Sequence, residues 1–339
     1  MSDSSIKKKI LLLHTGGTLG MDLEGSPDDS EVFLRVARTF APQIFDIADI
    51  HIEIMFNKDS SNMLPQDWIS IAKRLFERMA HFDGFVVIHG TDTMAFTASA
   101  LSFMLKHCPK PVIITGSQRP LKDLRSDAPR NLTNAVEIAA QGKVQEVAIF
   151  FDSALIRGNR AKKISIPSFK AFESPNLPVL ASVGVKTEYF PQPIPSGVFE
   201  LDPRIETRIL SIPLFPGFDP EIFSTAFRRG IKGLVLQAFG PGDIPLGETS
   251  IVTLIRGLLE QGIPTVICSQ AIFGRVDLNL YETGRAARDA GAISAHDMTW
   301  ECAVVKMMVL LGRGLSLSAF RSKFQKNLSG ELSEIGTPL

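Results

Sequence analysis

Two short stretches carry the side chains best suited to chemistry. Residues 9–18 read KILLLHTGGT and residues 84–94 read GFVVIHGTDTM. Thr15 offers a hydroxyl that becomes a nucleophile only when a base takes its proton. Gly16 and Gly17 after it let backbone amides approach a ligand and stabilise an oxyanion, although the same pair also serves as a plain tight turn. In the second stretch Gly90 is followed by Thr91 and Asp92. A hydroxyl beside a carboxylate can bind an ammonium group or order a proton relay. It can equally cap a helix, a role worth about 1 kcal/mol. Thr93 reads as a cap, and His89 as a hydrogen-bonded structural residue, because nothing in the sequence pairs with it. Lys163 is the candidate activator. Placed near Thr91 it would favour the alkoxide or, if neutral, accept the proton. The run Arg160, Lys162, Lys163 also fits a solvated basic loop. Ser60 and Ser61 can hold a substrate carboxylate or simply form a turn. A phosphate cradle is discounted, because the spacing is G-G-x-x-G rather than G-x-G-x-x-G and the acidic loop that follows would repel phosphate.

These residues need elements to hold them. Residues 10–13 and 85–88 are short apolar runs that read as buried strands, each ending in hydroxyls. Residues 51–56 form a third strand that ends in Asn57 to Asn62, and residues 111–115 and 147–151 form two more. Helices are expected over 31–40, 65–80 with Pro65 in its first turn, 95–105 and 128–140. Residues 19–30 are polar and acidic and read as a mobile loop. Strands alternating with helices predict an α/β fold with a mostly parallel sheet and flanking helices in the N-terminal part. In such sheets ligands sit at the carboxyl ends of the strands. Residues 152–178 break the rhythm with Arg157, Arg160, Lys162, Lys163, Lys170 and three prolines. The domain division is expected at a linker over 191–206, separating an N-terminal domain over 1–190 from a smaller C-terminal α/β domain over 207–339. The latter should hold strands at 208–212, 233–236 and 265–268, and helices near 219–229, 249–261, 298–311 and 315–326.

Composition narrows the function classes. The 339 residues are 45% apolar and 21% charged, an ordinary globular balance, and 36 basic residues match 36 acidic ones. Zero net charge argues against nucleic-acid binding, which needs a basic excess against phosphates. Cys108, Cys268 and Cys302 lack metal-ligand spacing, and their odd number does not suggest a disulfide framework. The N-terminus has no signal-peptide form. No apolar run is long enough to span a membrane. A reducing cytoplasm is the expected compartment.

Taken together the motifs resemble a known family. TGGTLGM at 15–21, DSSNMLPQDW at 59–68, DGFVVIHGTDTMAFTASALSFML at 83–105, TGSQRPLKDLRSDAPRNLTNA at 115–135, RGNRAKK at 157–163 and FESPNLP at 172–178 look like the type I, cytoplasmic L-asparaginases. LVLQAFGPGD at 234–243 and YETG at 281–284 extend the likeness over nearly the whole chain. The resemblance implies hydrolysis of L-asparagine to aspartate and ammonia without a cofactor, by a homodimer or homotetramer. By position Thr15 matches the primary nucleophile, and Thr91, Asp92 and Lys163 match the second catalytic group. Ser60, Ser61, Gly90 and Asp92 fall where the family binds substrate, the serines and Asp92 at its α-carboxylate and α-ammonium.

The chain departs from the family in three places. The family has a tyrosine in the loop after TGGT, near Gly25, whereas the two tyrosines here are Tyr189 and Tyr281. Asp28 and Asp29 are carboxylates of that loop that could reach in its place, and Tyr281 matches a different family position. Asp243 stands where the family usually has asparagine, so a neighbouring subunit would supply a carboxylate there. At the family's allosteric site Ser269, Gln270 and Ala271 replace Thr-Gln-Cys, and Lys162 replaces a threonine. Allosteric activation by asparagine is therefore expected to be absent or altered. Two other readings are the ammonia-releasing subunit of a tRNA-dependent amidotransferase and a non-catalytic amino-acid-binding homologue. The amidotransferase subunit normally has an added N-terminal domain, whereas the first strand here is expected by about residue 8.

Overall fold

The computed structural model of the chain describes residues 6–20, 30–190, 192–223, 229–247 and 251–333. It divides into two compact units, Met1–Ser174 with Pro178–Pro203, and Pro175–Leu177 with Arg204–Leu339. In the first unit the strands are β1 (Lys9–Gly16), β2 (Asp49–Lys58), β3 (Gly84–Ile88), β4 (Leu105–Lys106), β5 (Val112–Thr115), β6 (Val147–Phe151), β7 (Ala154–Arg157), β8 (Lys162–Lys163), β9 (Phe172–Glu173), β10 (Ala181–Val183), β11 (Thr187–Tyr189) and β12 (Glu200–Leu201). Eight of them form one sheet in the order β11-β10-β7-β6-β5-β3-β1-β2. The five strands from β6 to β2 run parallel. The other three continue the sheet antiparallel.

The apolar runs explain the parallel part. Ile10 to Leu13 and Phe85 to Ile88 are fully buried. Strands covered on both faces read as unbroken apolar segments rather than alternating ones. Each such side chain contributes about 1.5–3 kcal/mol by leaving water. The covering helices are α1 (Ser30–Phe40), α2 (Gln43–Ile47), α3 (Pro65–Arg78), α4 (Met94–Met104) and α5 (Ala128–Gln141). Helix α4 is apolar nearly all round and almost wholly buried. Its buried Ser99 and Ser102 hydroxyls donate to the carbonyls one turn back, Ala95 and Ala98. Strand β1 lies between β2 and β3, so the chain leaves it first to one side and later to the other. That reversal opens a crevice at the carboxyl ends of β1, β2 and β3, the usual ligand position in such sheets.

The break in rhythm at 152–178 has a structural cause. The chain reverses at Asp152, whose φ is 58°, and β7 returns antiparallel to β6. The basic run is not a solvated loop: Arg157 and Arg160 are buried. The Arg157 guanidinium is satisfied by the Glu146 carboxylate at 2.6 and 3.1 Å and by the Gln192 carbonyl at 2.9 Å. Past it, β8 and β9 form a short antiparallel pair. Residues 178–203 pack with the first unit, where β12 pairs with β4.

The second unit is built on a four-stranded parallel sheet, β13 (Ile209–Pro213), β14 (Gly233–Ala238), β15 (Thr265–Ser269) and β16 (Ile293–Ser294), in sequence order. Its described helices are α6 (Ile251–Glu260), α7 (Glu282–Asp289), α8 (Trp300–Gly312) and α9 (Leu317–Phe324). The α/β class expected for each part is observed, as larger and smaller units. Of the helix expected near 219–229, Pro220–Phe223 is a single 3-10 turn, and residues 224–228 lie outside the described residues. Helix α7 was not anticipated. Its eight residues, ETGRAARD, are mostly polar and bury only Gly284 and Ala287, so no large apolar side chain marks it. Among the described residues no helix is long and apolar enough to cross a membrane.

Candidate active site

Three strand ends converge in the first unit. The β1–β2 register runs His14↔Ile54 and then Gly16↔Lys58, so Thr15 sits at an irregularity of the ladder. Thr15 is buried, and its hydroxyl donates to the Ile88 carbonyl at the end of β3, at 2.8 Å. The glycines beside it serve close approach. Gly16 has φ 110°, and a Cβ there would lie 2.2 Å from the Lys58 carbonyl oxygen. Gly17 has φ 88°, and a Cβ there would lie 2.4 Å from the Gly90 nitrogen. Gly90 in turn would place a Cβ 2.6 Å from Ser60 Oγ. The backbones of β1, β2 and β3 thus meet where only glycine fits. The Gly17 N–H is committed to the Lys58 carbonyl at 3.1 Å. In this arrangement it is not one of the amides available to an oxyanion.

The end of β2 is a tight polar turn. Asp59 Oδ1 accepts from both the backbone N–H and the hydroxyl of Ser61, each at 2.8 Å. The backbone bond from Ser61, with its hydroxyl, holds the Asp59 carboxyl below the usual carboxylate range. Ser61 is exposed and turned to Asp59, whereas Ser60 is buried and turned inward. Ser60 Oγ accepts from the Asp92 N–H at 3.2 Å, and the Ser60 carbonyl accepts from the Thr93 hydroxyl at 2.7 Å. Thr93 therefore occupies the N-cap position of α4 without capping it. Its hydroxyl ties the β3 end to the β2 end instead.

Lys163 arrives from β8, seventy-odd residues away in sequence. Its Nζ donates to Thr91 Oγ1 at 2.8 Å and to Asp92 Oδ1 at 2.6 Å. The lysine side chain is 20% exposed and that of Asp92 62% exposed, so the group faces solvent on the carboxylate side. Chemically it is a hydroxyl beside an ammonium, with a carboxylate that keeps the ammonium in place. Such a group stabilises an alkoxide and shuttles a proton. One contributor escaped the sequence reading. Gln118 Nε2 donates to the carbonyls of Ile166 and Ser168 at 2.7 and 3.1 Å, in the turn that follows Lys163. The buried Asp127 carboxylate fixes Gln118 by accepting its backbone N–H and that of Arg119. An amide in a loop between strand and helix gave no spacing signal to find it.

Comparison with known proteins shows the family. The family model described as "Asparaginase, N-terminal" matches residues 9–195, and "Glutaminase/Asparaginase C-terminal domain" matches residues 208–324. The chain is 37% identical to L-asparaginase 1 of Escherichia coli (strain K12), over 96% of this chain and 98% of that protein. The chain belongs to the asparaginase family. It is therefore an amidohydrolase, and the likeness to type I L-asparaginases is established. The structure of L-asparaginase I from Vibrio cholerae O1 biovar eltor superposes with a TM-score of 0.87 at 37% identity, covering 97% of this chain and 100% of that one. Within the family, a glutamyl-tRNA(Gln) amidotransferase component of Aeropyrum pernix is also 37% identical, over 97% of this chain and 80% of that protein.

Seen as an asparaginase, the chain places its departures as follows. Gly25, Asp28 and Asp29, where the family tyrosine would fall, lie outside the described residues. The Asp243 carboxylate accepts from the Thr283 hydroxyl, which joins the GPGD and YETG stretches within the second unit. Ser269 Oγ donates to the Gly240 carbonyl at 2.7 Å, and the Gln270 amide donates to the carbonyls of Leu214 and Gln237. Lys162 stands opposite Glu173 in the β8–β9 pair.

His89 is the one histidine of the HGTDTM stretch, and it is structural, as its sequence context suggested. Its Nδ1 lies 2.7 Å from the Gly90 carbonyl and must donate to it. Nε2 therefore accepts from the Thr97 hydroxyl at 2.9 Å. Burial pushes its pKa down to about 4, so it is neutral at pH 7. An unfolded chain binds a proton at this histidine below about pH 6.5, whereas the folded chain resists it. Stability from this residue is therefore complete above that pH and is lost as the pH falls towards 4. Between pH 7.5 and 5 the parent should lose about 2 kcal/mol more than a His89→Gln variant. Urea unfolding of both proteins at the two pH values measures the difference, and equal losses would contradict a neutral buried imidazole.

Proposed function

We propose that this chain hydrolyses L-asparagine to L-aspartate and ammonia with Thr15 as nucleophile. It does so in the cytoplasm as a homodimer or homotetramer, without a cofactor. Thr15 Oγ1 adds to the side-chain amide carbon, and the tetrahedral adduct expels the amide nitrogen as ammonia after gaining a proton. Water then cleaves the resulting ester, releasing aspartate and restoring the hydroxyl. Thr91, Asp92 and Lys163 supply and receive protons and stabilise the developing negative charge. Ser60 and Ser61 hold the α-carboxylate, and Asp92 the α-ammonium, against the Gly90 backbone. In place of the family's loop tyrosine, Asp28 or Asp29, which lie outside the described residues, would accept the Thr15 proton.

The observation that carries this reading is the Lys163 ammonium within hydrogen-bond distance of both Thr91 Oγ1 and Asp92 Oδ1, while Ser60 Oγ receives the Asp92 N–H. Cys108, Cys268 and Cys302 are buried and form no disulfide, which suits a reducing compartment. The similarity to an amidotransferase component supports a second reading, in which ammonia is released only for a partner. Purified protein incubated with L-asparagine distinguishes the two. Many equivalents of ammonia and aspartate, with slower release from L-glutamine, are expected without any other protein. Thermal stabilisation by asparagine with no ammonia would overturn unassisted hydrolysis and leave partner-dependent release or a binding protein.

A further inference from the structure

Lys58 and Asp67 have no role in the chemistry above, yet they grip the segment that carries Ser60. The Lys58 peptide is the wall behind the Thr15–Gly17 turn: its carbonyl receives the Gly17 N–H, and its backbone leaves no room for a side chain at Gly16. From the same residue the side chain runs the other way. Nζ meets Asp67 Oδ1 at 2.6 Å. The second oxygen of that carboxylate accepts the Leu64 N–H at 2.8 Å, capping the start of α3. The Lys58 side chain is 36% exposed and that of Asp67 12%, so water screens the pair only in part.

We propose that the Lys58–Asp67 ion pair is a positioning device for the asparagine site, fixing the end of β2 to helix α3 so that Ser60 keeps its place against Gly90 and Asp92. This role rests on Ser60 being a substrate-carboxylate group, as proposed above. Beyond its own turn, where the Met63 N–H also reaches the Ser60 carbonyl, the segment from Lys58 to Ser61 is held by four described contacts: by Gly17 N–H, by Asp67, by Asp92 N–H and by the Thr93 hydroxyl. Three of these lie among the site residues themselves. The lysine–aspartate pair is the external anchor, and it joins the segment to a helix whose Trp68, Ile71, Ala72 and Leu75 are buried. A merely structural pair would contribute stability and leave substrate affinity alone. An anchor for Ser60 sets the affinity for the α-carboxylate.

The test is steady-state kinetics on asparagine together with amide hydrogen exchange of the whole protein. Lys58→Met leaves the Asp67 cap in place. It should raise KM about fivefold with kcat little changed, and speed exchange in the peptide spanning 58–62. Lys58→Arg should recover most of the KM. Asp67→Asn keeps the lysine charge but loses the anchor, so it should raise KM similarly, and the double variant should be no worse than either single one. An unchanged KM in Lys58→Met overturns the proposal, whatever happens to exchange or melting temperature. A KM effect confined to loss of the lysine, absent in Asp67→Asn, would also overturn it and mark a simple charge effect. If the parent itself releases no ammonia, the functional reading fails separately. Binding of asparagine, measured by calorimetry in the same variants, then decides the positioning role by the same criteria.

Discussion

Alanine at Thr15 is expected to lower kcat for asparagine by about 10³-fold or more, because the covalent route then has no nucleophile. The fold should survive the change. Thr15 makes its described hydrogen bond to the Ile88 carbonyl, and removing one such bond costs about 1 kcal/mol. A modest drop in melting temperature with retained asparagine binding would therefore accompany the loss of turnover. Thr91→Ala should reach a similar loss for a different reason. It removes the hydroxyl that receives the Lys163 hydrogen bond and leaves Thr15 intact. Groups that act as one unit give non-additive losses, so the double variant should be about as slow as either single one. The structure makes this comparison discriminating, since Thr91, not Thr15, touches the lysine. Mass spectrometry after rapid quenching decides which hydroxyl carries the acyl group: an ester on the 9–18 segment supports Thr15. A Thr15→Ala protein that keeps more than a tenth of parental activity would transfer the nucleophile's role to Thr91.

Much of this site was legible in the sequence because its parts lie at strand ends. An apolar run that stops in Thr-Gly-Gly or Gly-Thr-Asp-Thr marks the edge of a parallel sheet from residue order alone. The same edge collects Thr15, Ser60, Gly90, Thr91 and Asp92 by topology, since β1, β2 and β3 are neighbours. The glycines were harder to read. Gly16, Gly17 and Gly90 look like turn residues in one dimension, whereas each is set by the backbone or side chain of another strand pressing on it. Thr93 reads as a cap from its place before α4, and its hydroxyl goes to Ser60, a partner thirty-three residues away. The basic run at 157–163 was ambiguous for a related reason. Its charges are neutralised from afar, Arg157 by Glu146 and Lys163 by Asp92, and local composition cannot show a distant counter-ion. Short elements such as α7, which is mostly polar, and the three-residue strands of the β10–β11 hairpin carried no pattern long enough to detect.

Methionine at Lys163 is the second large effect, with kcat expected to fall about 10³-fold. The ammonium sits 2.8 Å from the Thr91 hydroxyl and 2.6 Å from the Asp92 carboxylate. Without it an alkoxide at Thr91 would have no neighbouring positive charge, and Asp92 would stand as an unpaired anion beside the hydroxyl. The loss cannot be put down to unfolding. The Asp92 side chain is 62% exposed, and pairs of that kind contribute about 0–1 kcal/mol to stability. Lys163→Arg tests whether charge alone suffices. A guanidinium keeps the charge but spreads it over a planar fork with different reach, so it should restore little of kcat. Asp92→Asn separates the two duties given to that carboxylate. Weaker anchoring of Lys163 lowers kcat, and loss of the anion facing the substrate ammonium raises KM, so both constants should move. In the double variant Lys163→Met with Thr91→Ala, kcat should match the slower single variant, because the lysine acts through that hydroxyl. Additive losses would mean that Lys163 works on the substrate directly. A Lys163→Met protein within threefold of the parent would remove the group from the mechanism and return the basic hairpin to a structural role.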